Sequence, residues 1–103
     1  MNTVTKEYID SRIKSVRYFN LGQALSFMAY SDYLEGELSG TAGSTTTVCV
    51  IELDNGYTVT GYSACVDPAN FDIGLGVKYS REDAYEKLWP LLGFELATKR
   101  SAL

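Results

Sequence analysis

The sequence predicts an α+β domain: an antiparallel β-sheet centred on a hairpin, packed by an N-terminal helix and a C-terminal helix. Three observations predict it. Ile9, Ile13 and Val16 recur at helical spacing near the start, two β-branched runs flank Asp54-Asn55-Gly56 in the middle, and Val77, Ala84, Leu88 and Leu92 form a helical stripe near the end. A chain of 103 residues holds one domain, residues 1–103, because separate cores need about 100 residues each. Apolar residues make up 46% of it, enough for a core without a metal or disulfide staple.

In the first helix, read over Thr5 to Arg17, the charged residues Lys6, Glu7, Asp10, Arg12 and Lys14 fall mostly away from the apolar stripe. Thr5 can cap its first turn, and Glu7 sits where the helix dipole favours an acid. Residues 20–44 fit no single periodicity and are broken by Gly22, Gly36, Gly40 and Gly43, so they read either as an added hairpin or as a short helix and loop. The run "TTTVCVIEL" from Thr45 to Leu53 is then followed by "YTVTGYSA" from Tyr57 to Ala64. The Asn-Gly pair between them suits a tight turn in which both central residues take positive φ, which predicts an antiparallel hairpin. Val48 and Val50 share one face of the first run while Cys49, Ile51 and Leu53 share the other, so it belongs inside a sheet.

Asp67-Pro68 sets a bend after Cys65, and Asn70 or Asp72 can cap the next helix, which starts somewhere between Asn70 and Ser80. "SRED" at Ser80 to Asp83 is a capping-box pattern inside that window. Pro90 is expected to kink or end the helix at Trp89, leaving a short terminal piece with a basic end.

Nine Lys and Arg against thirteen Asp and Glu argue against binding polymeric nucleic acid, which needs a basic face to displace counterions. A few converging cations can still hold a small anion on an acidic protein. No apolar run reaches about 18 residues, so no membrane span is expected, and a cytoplasm is the expected compartment, where Cys49 and Cys65 stay free thiols.

Cys65 lies at a strand end near a turn, where a nucleophile could sit, but the chain has no histidine to generate its thiolate or to build a His-based metal site. No catalytic residue, metal or cofactor is therefore expected. "GLGVKYS" lacks the spacing of a phosphate loop. What remains is Phe71-Asp72 with Asn70 at a helix start, together with Lys78, Arg81, Arg17 and Arg100. An aromatic can stack on a base and arginines can grip phosphate, while the plainer reading makes Phe71 a core staple and the cations solvated.

The string "TTVCVIELDNGYTVTGYSACVDPANFD", followed by a helix ending in "KLWPLLGFEL", resembles the small phage-protein family named after gene products of phages N4 and Sf6. The resemblance covers Thr46 to Leu96. Tyr57 stands where the family usually has Phe, Gly74 where a helix former is more usual, and residues 20–44 read as an insertion atypical of the family. The sponge proteins with which phages defeat the Thoeris immune system are similar in the same region. This resemblance implies an anti-defence protein, not an enzyme, that holds glycocyclic ADP-ribose or the cyclic oligonucleotides of CBASS without cleaving them. It implies action in the cytoplasm of the infected host as a homo-oligomer, dimer or hexamer, with nucleotide pockets between subunits. In that scheme Phe71 stacks on adenine, Asp72 accepts from ribose or base, Asn70 lies beside them, and Lys78, Arg81, Arg17 and Arg100 are candidates for phosphate. The rival expectation is a protein-binding inhibitor of a host factor anchored by Phe27, Tyr30 and Tyr33.

Overall fold

The computed structural model describes residues 3–27, 36 and 39–102. A three-stranded antiparallel sheet in the order β1-β2-β3 is packed by helices, the α+β arrangement expected. Helix α1 spans Lys6–Arg12, with the Thr5 hydroxyl accepting from the Tyr8 N–H at 3.1 Å. The chain then turns extended as β1, Ile13–Asn20, so the helix stops five residues short of the expected Arg17. A bulge explains the misleading spacing. Ile13 pairs with Leu53 and Val16 with Ile51, so three residues of β1 match two of its partner, and both apolar side chains reach the same face. The extra residue makes a strand imitate a helical repeat.

Within the ambiguous segment, Leu21–Phe27 form a short helix, α2, and residues 28–35 and 37–38 lie outside the described residues. Strand β2, Thr46–Leu53, lies in the centre, and β3, Thr58–Ala64, pairs with it as the expected hairpin. Its turn differs from the expected one, since Gly56 alone takes a positive φ, 88°, and Asn55 does not. The Gly56 N–H reaches the Leu53 carbonyl at 3.0 Å and the Leu53 N–H reaches the Tyr57 carbonyl at 2.8 Å. This is a three-residue loop closed by a left-handed glycine, which puts the same Asn-Gly pair to a different use.

Helix α3, Ile73–Glu86, starts at Asp72, and α4 runs Leu88–Ser101. The capping-box pattern at Ser80 is unused, for Ser80 is fully buried within α3 and its hydroxyl donates to the Val77 carbonyl. The helix breaks at Lys87 rather than at Trp89. Proline has no N–H to offer the carbonyl four residues back, at Glu86, so the chain restarts and Pro90 falls in the first turn of α4, where N–H groups have no intrahelical partner anyway.

The core is Ile9, Cys49, Ile51, Leu53, Ala84, Leu88 and Leu92, all on one face of the sheet. On the other face Arg17, Phe19, Thr58 and Tyr62 are exposed. The outer edge of β3 is closed by α3: Asp83 accepts from the Tyr62 N–H at 2.9 Å, and the Lys87 ammonium donates to the Thr60 carbonyl. No helix among the described residues is long and apolar enough to cross a membrane.

Candidate functional site

The residues after β3 form a stack of short-range caps. Asp67 accepts from the Ala69 N–H at 3.0 Å and from the Asn70 amide at 3.1 Å, holding the single 3₁₀ turn Pro68–Asn70. Asp72 accepts from the Gly74 and Leu75 N–H groups at 2.8 and 3.2 Å and starts α3. Phe71 is pinned between the two caps. A carboxylate offers about four acceptor sites, so capping leaves Asp72 capacity for a ligand donor.

Phe71 lines two depressions. One, of about 200 Å³, lies at the start of β2 among Thr45, Cys65, Asn70, Asp72, Leu75 and Tyr79. The other, of about 310 Å³, is bounded by Tyr18, Phe19, Asn20, Gln23 and Ile73. The half-buried ring of Phe71 thus stands as a ridge between two concave surfaces, each with another aromatic in its wall.

The model of the phage protein (N4 Gp49/phage Sf6 gene 66) family matches residues 4–100. The chain belongs to this family. No curated protein and no solved structure matches it.

In this member of the N4 Gp49/Sf6 gene 66 family the string "SACVDPANFD" builds the rim of a depression, and Asn70, Phe71 and Asp72 come together there. The expected cations do not join them in one chain. Lys78 lies beside Tyr79, its ammonium 5.5 Å from that ring. Arg81 is nine residues further along α3 than Asp72, about 13 Å at helical rise, and borders a separate hollow with Lys6 and Tyr85. Arg17 is on the exposed face of β1 and Arg100 in the last turn of α4. Phe27 is exposed at the end of α2, while Tyr30 and Tyr33 lie outside the described residues.

Tyr79 and Leu75 are site residues that a reading of motifs passes over. Their signal was in the spacing, for Phe71, Leu75 and Tyr79 recur every four positions and so share one face as α3 begins. The cysteines are both free. Burial pushes the Cys49 thiol up, against the pull of Arg81, so it is held as a neutral core group. The Cys65 thiol donates to the Asp67 carbonyl at 3.1 Å and helps to fix the bend. Among the described residues, no group of three or more Cys, Asp or Glu is placed to hold a metal ion.

Proposed function

We propose that this phage protein binds a cyclic nucleotide immune signal, glycocyclic ADP-ribose or a CBASS cyclic oligonucleotide, and sequesters it uncleaved in the cytoplasm of the infected host. The observation that carries the reading is the Phe71 ridge: an aromatic ring with a concave surface on each side, beside Asn70 and Asp72, in a chain whose motifs resemble the Thoeris sponges. A base stacks on the ring, Asn70 and Asp72 meet its polar edge or a ribose hydroxyl, and Lys78, beside Tyr79, is a candidate phosphate partner. Both depressions lie at or below the small end of the range for small-molecule sites, about 300–1,000 Å³. A neighbouring subunit then supplies the remaining wall, and Arg17 and Arg81 are candidate cations from such a neighbour.

Phe71→Ala tests the ridge. Loss of base stacking costs about 1–3 kcal/mol, so calorimetric titration with the nucleotide that most raises the melting temperature should show affinity falling by about 10-fold to 100-fold. A folded Phe71→Ala protein that binds like the parent makes Phe71 a core staple and removes the proposal's main support. Heat denaturation of the complex should release the nucleotide intact; a hydrolysed product would mean an enzyme.

Cys65→Ser separates the same alternatives from the side of the protein. A hydroxyl keeps the donor to the Asp67 carbonyl, so stability should fall by no more than about 1 kcal/mol and ligand capture should be unchanged. Selective loss of function in a folded Cys65→Ser protein would return the thiol to a chemical role.

A further inference from the structure

A groove of about 440 Å³ lies away from Phe71, between the β2–β3 turn and α4, with Leu53 and Tyr57 on one wall and Leu91, Leu92 and Phe94 on the other. Its mouth carries two exposed rings, Tyr57 at 56% and Phe94 at 74%. Arg12 ties the two walls together, because its guanidinium donates to Asp54, next to Leu53 in the turn wall, and to Glu95, next to Phe94 in the α4 wall. The groove therefore exists before anything enters it. Its volume falls within the range of small-molecule sites, about 300–1,000 Å³, which are also largely preformed.

Charge decides which class of molecule fits. Glu95 and Lys99 are the ionised side chains that line the groove, and they pair with each other at 3.5 Å. Glu95 also accepts from both terminal nitrogens of Arg12 and from the Tyr8 hydroxyl, so its carboxylate is already supplied with donors. Arg12, Asp54, Glu95 and Lys99 together sum to zero charge. A charged occupant would give up its water and find only groups that are already paired, whereas a neutral one loses little on entry. Neutral polar contacts are supplied by the Thr98 hydroxyl and the Asn55 amide, whose oxygen accepts from the Tyr57 N–H at 3.0 Å and whose nitrogen is its remaining polar end.

We propose that this groove is a binding site for a neutral, ring-bearing small molecule, its ring held between Tyr57 and Phe94 over the leucines and its hydrogen-bonding group toward Asn55 or Thr98. Two aromatic side chains on opposite walls give a flat ligand a ring contact on each side. The site is independent of the nucleotide reading. Thr45 borders the Phe71 depression and Leu53 the groove, so the two lie about 26 Å apart along β2 at strand rise.

Three probes that share one ring system and differ in charge, β-naphthol, β-naphthoate and β-naphthylmethylammonium, test the proposal when each is titrated into the isotope-labelled protein at neutral pH and amide NMR shifts are followed. Naphthol should bind with a Kd on the order of 1 mM or tighter, with shifts centred on Leu91, Phe94 and Thr98. Both charged analogues should bind at least about 5-fold more weakly. Phe94→Ala and Tyr57→Ala each remove an exposed ring and leave the core in place, so each should weaken naphthol by about 3-fold to 10-fold, while Phe71→Ala should leave it unchanged. An absence of shifts in the groove at about 3 mM naphthol overturns the proposal and leaves the groove to a protein segment. Shifts confined to Phe71, Leu75 and Tyr79 overturn it too, as does a charged analogue that binds as tightly as naphthol, or unchanged binding in both folded ring variants.

Discussion

Gly61→Ala is expected to melt about 10 °C or more below the parent. Gly61 is where α3 rests on β3. A Cβ there would stand 2.3 Å from both the Ser80 carbonyl oxygen and the Ala84 nitrogen, and these are backbone atoms inside a helix that no rotamer change can move. The small residues Ser80 and Ala84, both fully buried, are what allow this approach. Relief requires α3 to lift from the sheet as a unit, which places the cost at or above the upper end of the usual 1–3 kcal/mol for overpacking. Because α3 begins at Asp72, the shift also displaces Leu75 and Tyr79 and so distorts the Phe71 depression. Gly40→Ala is the control, since nothing lies within 4 Å of a Cβ there. A Gly61→Ala melting temperature within about 3 °C of the parent, less than 1 kcal/mol, would mean that α3 does not sit on β3 as described.

Arg12→Met should cost about 2–3 kcal/mol, and the loss should depend on pH. The Arg12 side chain is only 13% exposed and spans three elements. Its Nε donates to both Asp54 carboxylate oxygens at 2.8 and 3.0 Å, one terminal nitrogen donates to Glu95 and to the Tyr8 hydroxyl, and the other donates to Glu95 at 3.2 Å. The end of α1, the hairpin turn and α4 are thereby joined at one point. Removing one partner of a buried pair costs about 3–5 kcal/mol. The expectation here is lower because Asp54 is half exposed and regains water, and Glu95 keeps Lys99 at 3.5 Å.

Hydrogen bonding from Arg12 holds the Glu95 carboxyl below its usual range. A carboxyl depressed in the folded state stabilises the fold above its unfolded pKa, and that contribution is lost as pH falls through the folded value. Melting the parent and Arg12→Met at neutral pH and at about pH 3 should therefore show a gap that narrows in acid. An equal gap at both values would mean that Arg12 contributes packing rather than charge.

Much of the fold was legible because it rests on local pattern. β2 has apolar residues on both faces, which only an interior strand can bury, and a glycine-bearing turn follows it. Ala84, Leu88 and Leu92 mark a helical face even though the chain breaks at Lys87. The juxtaposition of Asn70, Phe71 and Asp72 was equally readable, since successive caps on neighbouring residues keep them together.

Tertiary structure decided what local spacing leaves degenerate. Ile9, Ile13 and Val16 satisfy a helix as well as they satisfy a helix followed by a bulged strand, and pairing with β2, forty residues or so away, selects the second. Ser80 has the residue type of a cap yet is buried against the sheet, because Asp72 already starts the helix and Gly61 lets α3 come close. Arg12 reads as one more solvated helix charge until Asp54 and Glu95 arrive from 42 and 83 residues away. The Phe71 depressions likewise exist only where separate elements meet. Which segments are helix-like or strand-like is readable locally, because backbone preference and apolar period act between near neighbours; the end of α1, the place of each cation and the shape of the concave surfaces depend on contacts that form only when distant segments pack.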